Sequence, residues 1–183
     1  KATTGLMVAA KDDGIQAALQ ALIGSRELDR RYLALVHGSI APDTGLIDAP
    51  IARHERDRYR MTVSDSLSAR DALTTFSVVE RFESFARKYD YTLLECKLYT
   101  GRTHQIRVHM AYIDHPCVGD PLYGRISRDG LPELGLERQF LHSYRIGFTH
   151  PATGEVLEFT DPLPDDLARV LEDLQRYSAG RTE

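Results

Sequence analysis

The stretch Tyr99-Thr100-Gly101-Arg102-Thr103-His104-Gln105-Ile106-Arg107-Val108-His109-Met110 packs two arginines, two histidines and a glutamine between an apolar strand pattern and a helical one. Upstream of it, Thr92 to Tyr99 alternates: Leu94, Cys96 and Leu98 share one face and Glu95 and Lys97 the other, the period-two signature of a half-buried strand. Gly101 permits a tight turn, and Thr103 is placed to cap a helix by accepting from free backbone N–H groups. Ile106, Met110 and Ile113 then recur at helical spacing until Asp114-His115-Pro116 stops the run. Arg107 falls four residues after Thr103, on the same side of the first turn. A guanidinium there adds positive charge to a helix end that already carries positive dipole, so an anion is expected opposite it, a carboxylate or a phosphate. Taken by itself, such an arginine also reads as a solvated residue or half of a surface ion pair.

Working outward, Gly5 to Ala10 is a short apolar run that predicts a buried strand. Asp12-Asp13 caps a helix through Ile23 with Ile15, Leu19, Leu22 and Ile23 on one face, closed by Gly24-Ser25. Arg31 to Gly38 is a second strand, apolar on both faces and therefore central. Pro42-Asp43-Thr44-Gly45 is a turn, followed by a short strand through Ile47. Ala72 to Phe82 and Tyr89 to Tyr99 are long paired strands joined by the polar Glu83 to Lys88 connection. Arg125 to Gly135 reads as a loop. Tyr144, Ile146 and Phe148 mark another strand, Pro151 to Gly154 a hairpin turn, and Val156 to Thr160 the returning strand. Pro164 opens a last helix with a Leu167, Val170, Leu171, Leu174 stripe, and the tail beyond Tyr177, about residues 178–183, is expected to fray. Many strands, few helices and no regular alternation predict a single α+β domain over 1–183, a largely antiparallel mixed sheet with flanking helices.

With 183 residues and 42% hydrophobic composition, the chain suffices for one core. A net charge of −4 and a pI near 6.0 exclude a generically basic nucleic-acid coat, so any RNA contact must be local. Cys96 and Cys117 are too few for a disulfide scaffold and fit reduced thiols in the cytoplasm. No run of about 18 apolar residues appears, so no membrane span is expected. His104 and His109 are five apart, on different faces of a helix, unlike the four-residue spacing of a helical zinc pair, and no metal is expected. The segment Arg53-His54-Glu55-Arg56-Asp57-Arg58-Tyr59-Arg60-Met61 reads either as a charged, solvated hairpin edge or as an RNA contact. In the second case its arginines meet phosphates, and Tyr59 or Met61 lies against bases.

The run Gly101-Arg102-Thr103-His104-Gln105-Ile106-Arg107-Val108-His109 resembles the third sequence motif of the RluA/RluD-type family of RNA pseudouridine synthases. The likeness continues in order through most of the chain. Lys1 to Leu6 is similar to the tail of the family's active-site loop, Arg31 to Gly38 to its tyrosine strand, and His115 to Gly124 and Gln139 to His142 to its later motifs. The resemblance implies the larger, C-terminal part of the pseudouridine synthase catalytic fold, acting without metal or organic cofactor. Such enzymes cut the bond between uracil N1 and ribose and rejoin the base through C5, on a uridine flipped out of its stack. The implied substrate is ribosomal RNA, the large subunit ahead of transfer RNA, handled by a cytoplasmic monomer.

The same likeness assigns roles. The family's nucleophile is an aspartate that closes a His-Arg-Leu-Asp sequence and would stand immediately before Lys1, so the 183 residues alone are expected to be inactive. Arg107 matches the arginine that pairs with that aspartate and holds it ionised. Tyr32 matches the tyrosine against the target base, with a phenol able to move a proton, and Leu141 the apolar residue beneath it. The candidate RNA-binding set is Arg53, Arg58, Arg60, Met61, Arg102, His104 and Gln105. Asp120 and Tyr123 read as anchors of a structural turn, with substrate contact as the other reading. Ser68-Ala69-Arg70-Asp71 departs from the Gly-Lys-Pro-Ala type common in the family. Two other classes stand beside the enzyme: a non-catalytic RNA-binding module of this fold, and a phosphate-binding hydrolase built on the Thr103 helix start, for which no nucleophile-base pair is evident.

Overall fold

Alternating apolar and polar residues in four long segments build one sheet, and the computed structural model describes it through residues 2–83, 89–124 and 134–179. The expectations for Lys1, for 84–88 and 125–133 in the two loops, and for 180–183 lie outside the described residues. In chain order the elements are β1 (Thr4–Gly5), α1 (Asp13–Gly24), β2 (Asp29–His37), β3 (Thr44–Asp48), β4 (Ile51–Arg53), β5 (Met61–Val63), β6 (Leu73–Phe82), β7 (Tyr91–Leu98), α2 (Gln105–Tyr112), β8 (Leu141–Thr149), β9 (Val156–Thr160) and α3 (Asp165–Ala179).

The main sheet runs β1-β8-β2-β7-β6-β3, with β9 also on β8. Among the described residues, only the β1–β8 pair is parallel. Because β2 occupies one edge of β8 along its length, β1 and β9 follow one another along the other edge. β2 is central, as its two apolar faces require. Ala34, Val36, Leu94 and Cys96 pack on one side with Ile106 and Met110 of α2. Leu35 and Leu93 pack on the other with Leu167, Val170 and Leu174 of α3. A second, two-stranded sheet of β4 and β5 stands beside α2, joined to it through a small cluster of Ile51, Ala72, Val108 and Tyr123.

One expectation changes. The apolar run from Gly5 to Ala10 is not a buried strand: only Thr4–Gly5 pair, and Leu6 and Val8 rest half-buried against Leu28, Ile146 and Phe148. Met7 between them is 86% exposed, so the run lays one face on that cluster and leaves the other to solvent. The last helix runs Asp165–Ala179, and Ser178 Oγ donates to Leu174 O. The Arg53–Met61 segment is the connection between two three-residue strands, with only its end residues in the ladder. No helix among the described residues is long and apolar enough to cross a membrane.

Candidate active site

The turn that feeds α2 is wired by one side chain. Gln105 is buried, its Oε1 accepts from Thr100 Oγ1 (2.8 Å) and Arg102 N (2.9 Å), and its Nε2 donates to Leu73 O and Thr74 Oγ1, both at 3.0 Å. Every hydrogen-bonding position of the amide is taken. The reading of Gln105 as an RNA contact therefore gives way to a structural one: it fastens the loop to β6. Thr103 is not the cap either. His104 precedes the helix in the left-handed conformation (φ 59°) with no side-chain capping bond, and its Nδ1 lies 2.9 Å from Tyr123 Oη instead. Burial, and after it the Arg107 charge, holds this imidazole below its ordinary range against the pull of Asp120.

Arg107 does face an anion, and the anion belongs to this chain. Its Nε donates to Asp120 Oδ2 (2.7 Å) and its Nη2 to Asp120 Oδ1 (2.6 Å), a two-point grip with both side chains nearly inaccessible, at 6% and 0% exposure. The expectation that Arg107 pairs with a carboxylate from outside the chain is thus corrected for these two donors. The grip leaves Nη1 without a hydrogen bond among the described residues. Burial favours a neutral Asp120, but the Arg107 hydrogen bonds and charge, together with the N–H groups of Tyr123 and Leu122, outweigh it and hold the carboxyl below the usual range. For Arg107, burial is likewise outweighed by Asp120, and the guanidinium stays firmly charged. Its Cζ also lies 4.9 Å from the centroid of the Tyr123 ring.

Tyr123 ties this centre to the β4–β5 hairpin. Its hydroxyl accepts from Met61 N (2.8 Å), and Arg60 Cζ also lies over its ring, 5.6 Å from the centroid. Arg60 Nε is buried with no hydrogen bond. The remaining candidates divide. Arg53 Nη1 donates to Arg58 O and closes the hairpin connection, Arg102 Nε is fixed on Asp71 O, and Met61 packs on the Val108–Tyr123 cluster, whereas the Arg58 side chain is exposed. Sequence reasoning weighed Asp120 and Tyr123 as turn anchors and left them out of the site. The signal for including them was an acid and an aromatic in one short turn, following a helix-start arginine that lacked an anion.

Tyr32 and Leu141 sit on neighbouring strands. Tyr32 pairs with Ser143 and Ala34 with Leu141, and Tyr32 packs on the cluster that holds Leu141, Cys96 and Ile106, the residue before Arg107. The N-terminal segment reaches the same region. A Cβ on Gly119 (φ +70°) would collide with the carbonyl of Arg138, so the turn carrying Asp120 lies directly against residue 138. Arg138 in turn donates from Nη1 to Ala2 O (3.2 Å), and Gln139 Nε2 donates to Thr3 Oγ1 (3.1 Å). Residues 2 and 3 are therefore tied to residues 138 and 139, and the backbone of Arg138 also backs the Asp120 turn. No group of His, Cys, Asp or Glu among the described residues has the arrangement of a metal site. The Cys96 thiol is pushed up to about 12 by burial and then by Glu95, which leaves it inert.

Residues 1–112 match the model of a family described as RNA pseudouridylate synthase. The chain belongs to the RNA pseudouridylate synthase family. It is 45% identical over 176 residues, 96% of its length, to an uncharacterised RNA pseudouridine synthase of Bacillus subtilis, of which it covers 54%. It is 42% identical over 191 residues to a ribosomal large subunit pseudouridine synthase D of Xanthomonas campestris, covering 100% of this chain and 55% of that one. To the protein of the same description in Nitrosomonas europaea it is 45% identical over 175 residues, covering 94% and 48%. The chain thus spans about half the length of these relatives. In fold it resembles human RNA pseudouridylate synthase domain containing 4, with a TM-score of 0.66 at 26% identity over 90% of this chain and 69% of that one. The pseudouridylate synthase assignment agrees with the mixed, largely antiparallel sheet and its few helices.

Proposed function

We propose that the protein to which this chain belongs isomerises uridine to pseudouridine in large-subunit ribosomal RNA, with transfer RNA as the lesser candidate, working as a cytoplasmic monomer without metal or organic cofactor. The observation that carries the reading is the buried two-point pair of Arg107 and Asp120 at the start of α2. Asp120 itself is no nucleophile: Oδ1 accepts from Arg107, Leu122 and Tyr123, Oδ2 from Arg107, and its side chain is fully buried. The attacking carboxylate has to come from elsewhere, and the family likeness puts an aspartate immediately before Lys1. The tie of residues 2 and 3 to Arg138 and Gln139, the former of which backs onto Gly119, supports its delivery to this region.

In this reading Asp120 holds one side of the guanidinium rigid, and the free Nη1 corner of Arg107 receives the nucleophile, keeping it ionised and aimed. Tyr32 offers its ring to the flipped base and its phenol for proton transfer, and Leu141 closes the floor against water. Arg60 and Arg58, on the hairpin bound to Tyr123, take phosphates of the RNA around the target. Names of relatives carrying the large-subunit description support the choice of RNA.

The test uses two samples. The full-length protein, incubated with unmodified large-subunit RNA and with transfer RNA, is expected to form pseudouridine in the former, and the isolated 183-residue chain in neither. Product from the isolated chain means that the nucleophile lies within it. RNA binding without product by the full-length protein favours a non-catalytic module of the same fold.

A further inference from the structure

We infer that Arg30 is the contact for a phosphodiester flanking the nucleotide whose base lies on Tyr32, an assignment that rests on the RNA-isomerising reading above. The two residues are two apart on β2 and so project from one face of the sheet. Together with Leu6, Leu19, Ile23 and Ile146 they line a cleft of about 200 Å³. The neighbouring charges are spent on each other. Arg31 is held by Asp29 (3.0 Å) and Glu95 (2.8 Å), and Lys97 by Asp29 (3.0 Å). Arg30 has no carboxylate or carbonyl partner among the described residues, and its Nε is buried with no hydrogen bond at all.

A buried donor left unmade costs stability, so a guanidinium kept in that condition is arranged for an acceptor that arrives from outside. The loop before α2 is shaped around it. A Cβ on Gly101 would stand 2.7 Å from Arg30 Nη1, so the guanidinium lies against bare backbone at the one position of the loop without a side chain. Burial disfavours its charge, and only Tyr32 opposes that, so a bound anion would be gripped in surroundings with little competing water. RNA supplies a singly charged phosphodiester at every nucleotide, adjacent to any base stacked on Tyr32. The arrangement differs from that of Arg107, whose matching carboxylate is built into the chain.

The experiment compares wild type, Arg30→Gln and Arg30→Lys in the full-length protein, measuring RNA affinity over a salt series together with KM and kcat. Arg30→Gln is expected to weaken binding roughly tenfold, to lower the slope of log affinity against log salt by about one, and to place its loss on KM; Arg30→Lys, still a point charge, recovers most of it. Gly101→Ala in the wild-type and Arg30→Gln backgrounds should be non-additive, because its methyl acts through the displaced guanidinium. If Arg30→Gln melts early, Arg30→Leu, which suits the apolar walls, replaces it. An unchanged salt slope overturns the assignment, as does a loss confined to kcat, which would make Arg30 a partner of the reacting carboxylate. A wild-type protein that binds RNA but forms no pseudouridine overturns the enzymatic reading instead, and the salt slope still decides the Arg30 contact.

Discussion

Asp120 and Arg107 bind each other with four of their polar atoms in a place that water scarcely reaches. Removing one partner leaves a buried, uncompensated charge, so Asp120→Asn in the full-length protein is expected to cost about 3 kcal/mol in urea unfolding. Arg107→Lys keeps the charge but not the fork, and should cost about 1–2 kcal/mol while lowering turnover at least a hundredfold, with RNA affinity little changed. Wild-type turnover by Arg107→Lys would remove the arginine from the chemistry. Linkage adds a pH signature. The native Asp120 carboxyl is held below 3.8, the Arg107 and backbone hydrogen bonds outweighing burial, so its contribution is complete above that pH and is lost as pH falls through the lower native value. The sequence showed that Arg107 needed an anion. It did not show which one, because Asp120 is thirteen positions away in a turn whose approach depends on Gly119 backing onto Arg138.

Helix α2 is bolted to β6 and to Ala49, just past β3, by a line of polar groups. His109 Nε2 lies 3.0 Å from Ala49 O and its Nδ1 2.9 Å from Thr74 Oγ1, which also receives Gln105 Nε2. The Thr74 hydroxyl thus serves a histidine and an amide at once. Thr74→Val, nearly isosteric, strands both and is expected to lower unfolding stability by about 2–3 kcal/mol in denaturant titration. An effect under half a kcal/mol would show the line to be incidental. His109 is held below its ordinary 6.5 by burial, against the Ala49 carbonyl and Asp48. The unfolded chain therefore takes up its proton first as the pH drops. Stability is complete above about 6.5, falls below that toward the native value, and is flat beneath it. The unfolding midpoint should decline between pH 7.5 and 5.5, and less so in His109→Gln. Period two and period 3.6 located β2, β6, β7 and α2 because each buries a continuous face. The same patterns misplaced the strand at Gly5 to Ala10, where Leu6 and Val8 pack on the Leu28, Ile146 and Phe148 cluster without strand pairing, and named Thr103 as the cap where Gln105, further along the helix, closes the turn.

At the scale of the molecule, a chain of net charge −4 sets Arg60 and the Asp120-paired Arg107 over the Tyr123 ring and Arg30 beside Tyr32 in one cleft. The family and the sheet were legible because the motif residues are consecutive. The division of labour within the site was not, since Gln105 proved to be spent on the protein's own backbone and side chains, while Arg102 and Arg53 each give one donor to a backbone carbonyl. What the structure holds is a buried arginine–aspartate pair, a tyrosine packed on the cluster that contains Leu141, and an N-terminal segment tied to Arg138 and Gln139. The most direct test is pseudouridine formation in unmodified large-subunit RNA by the full-length protein, compared with a variant in which the residue preceding Lys1 is replaced by alanine. The account predicts an aspartate there, product from the wild type, and none from a variant that folds and binds RNA as before. Undiminished product from that variant would contradict it.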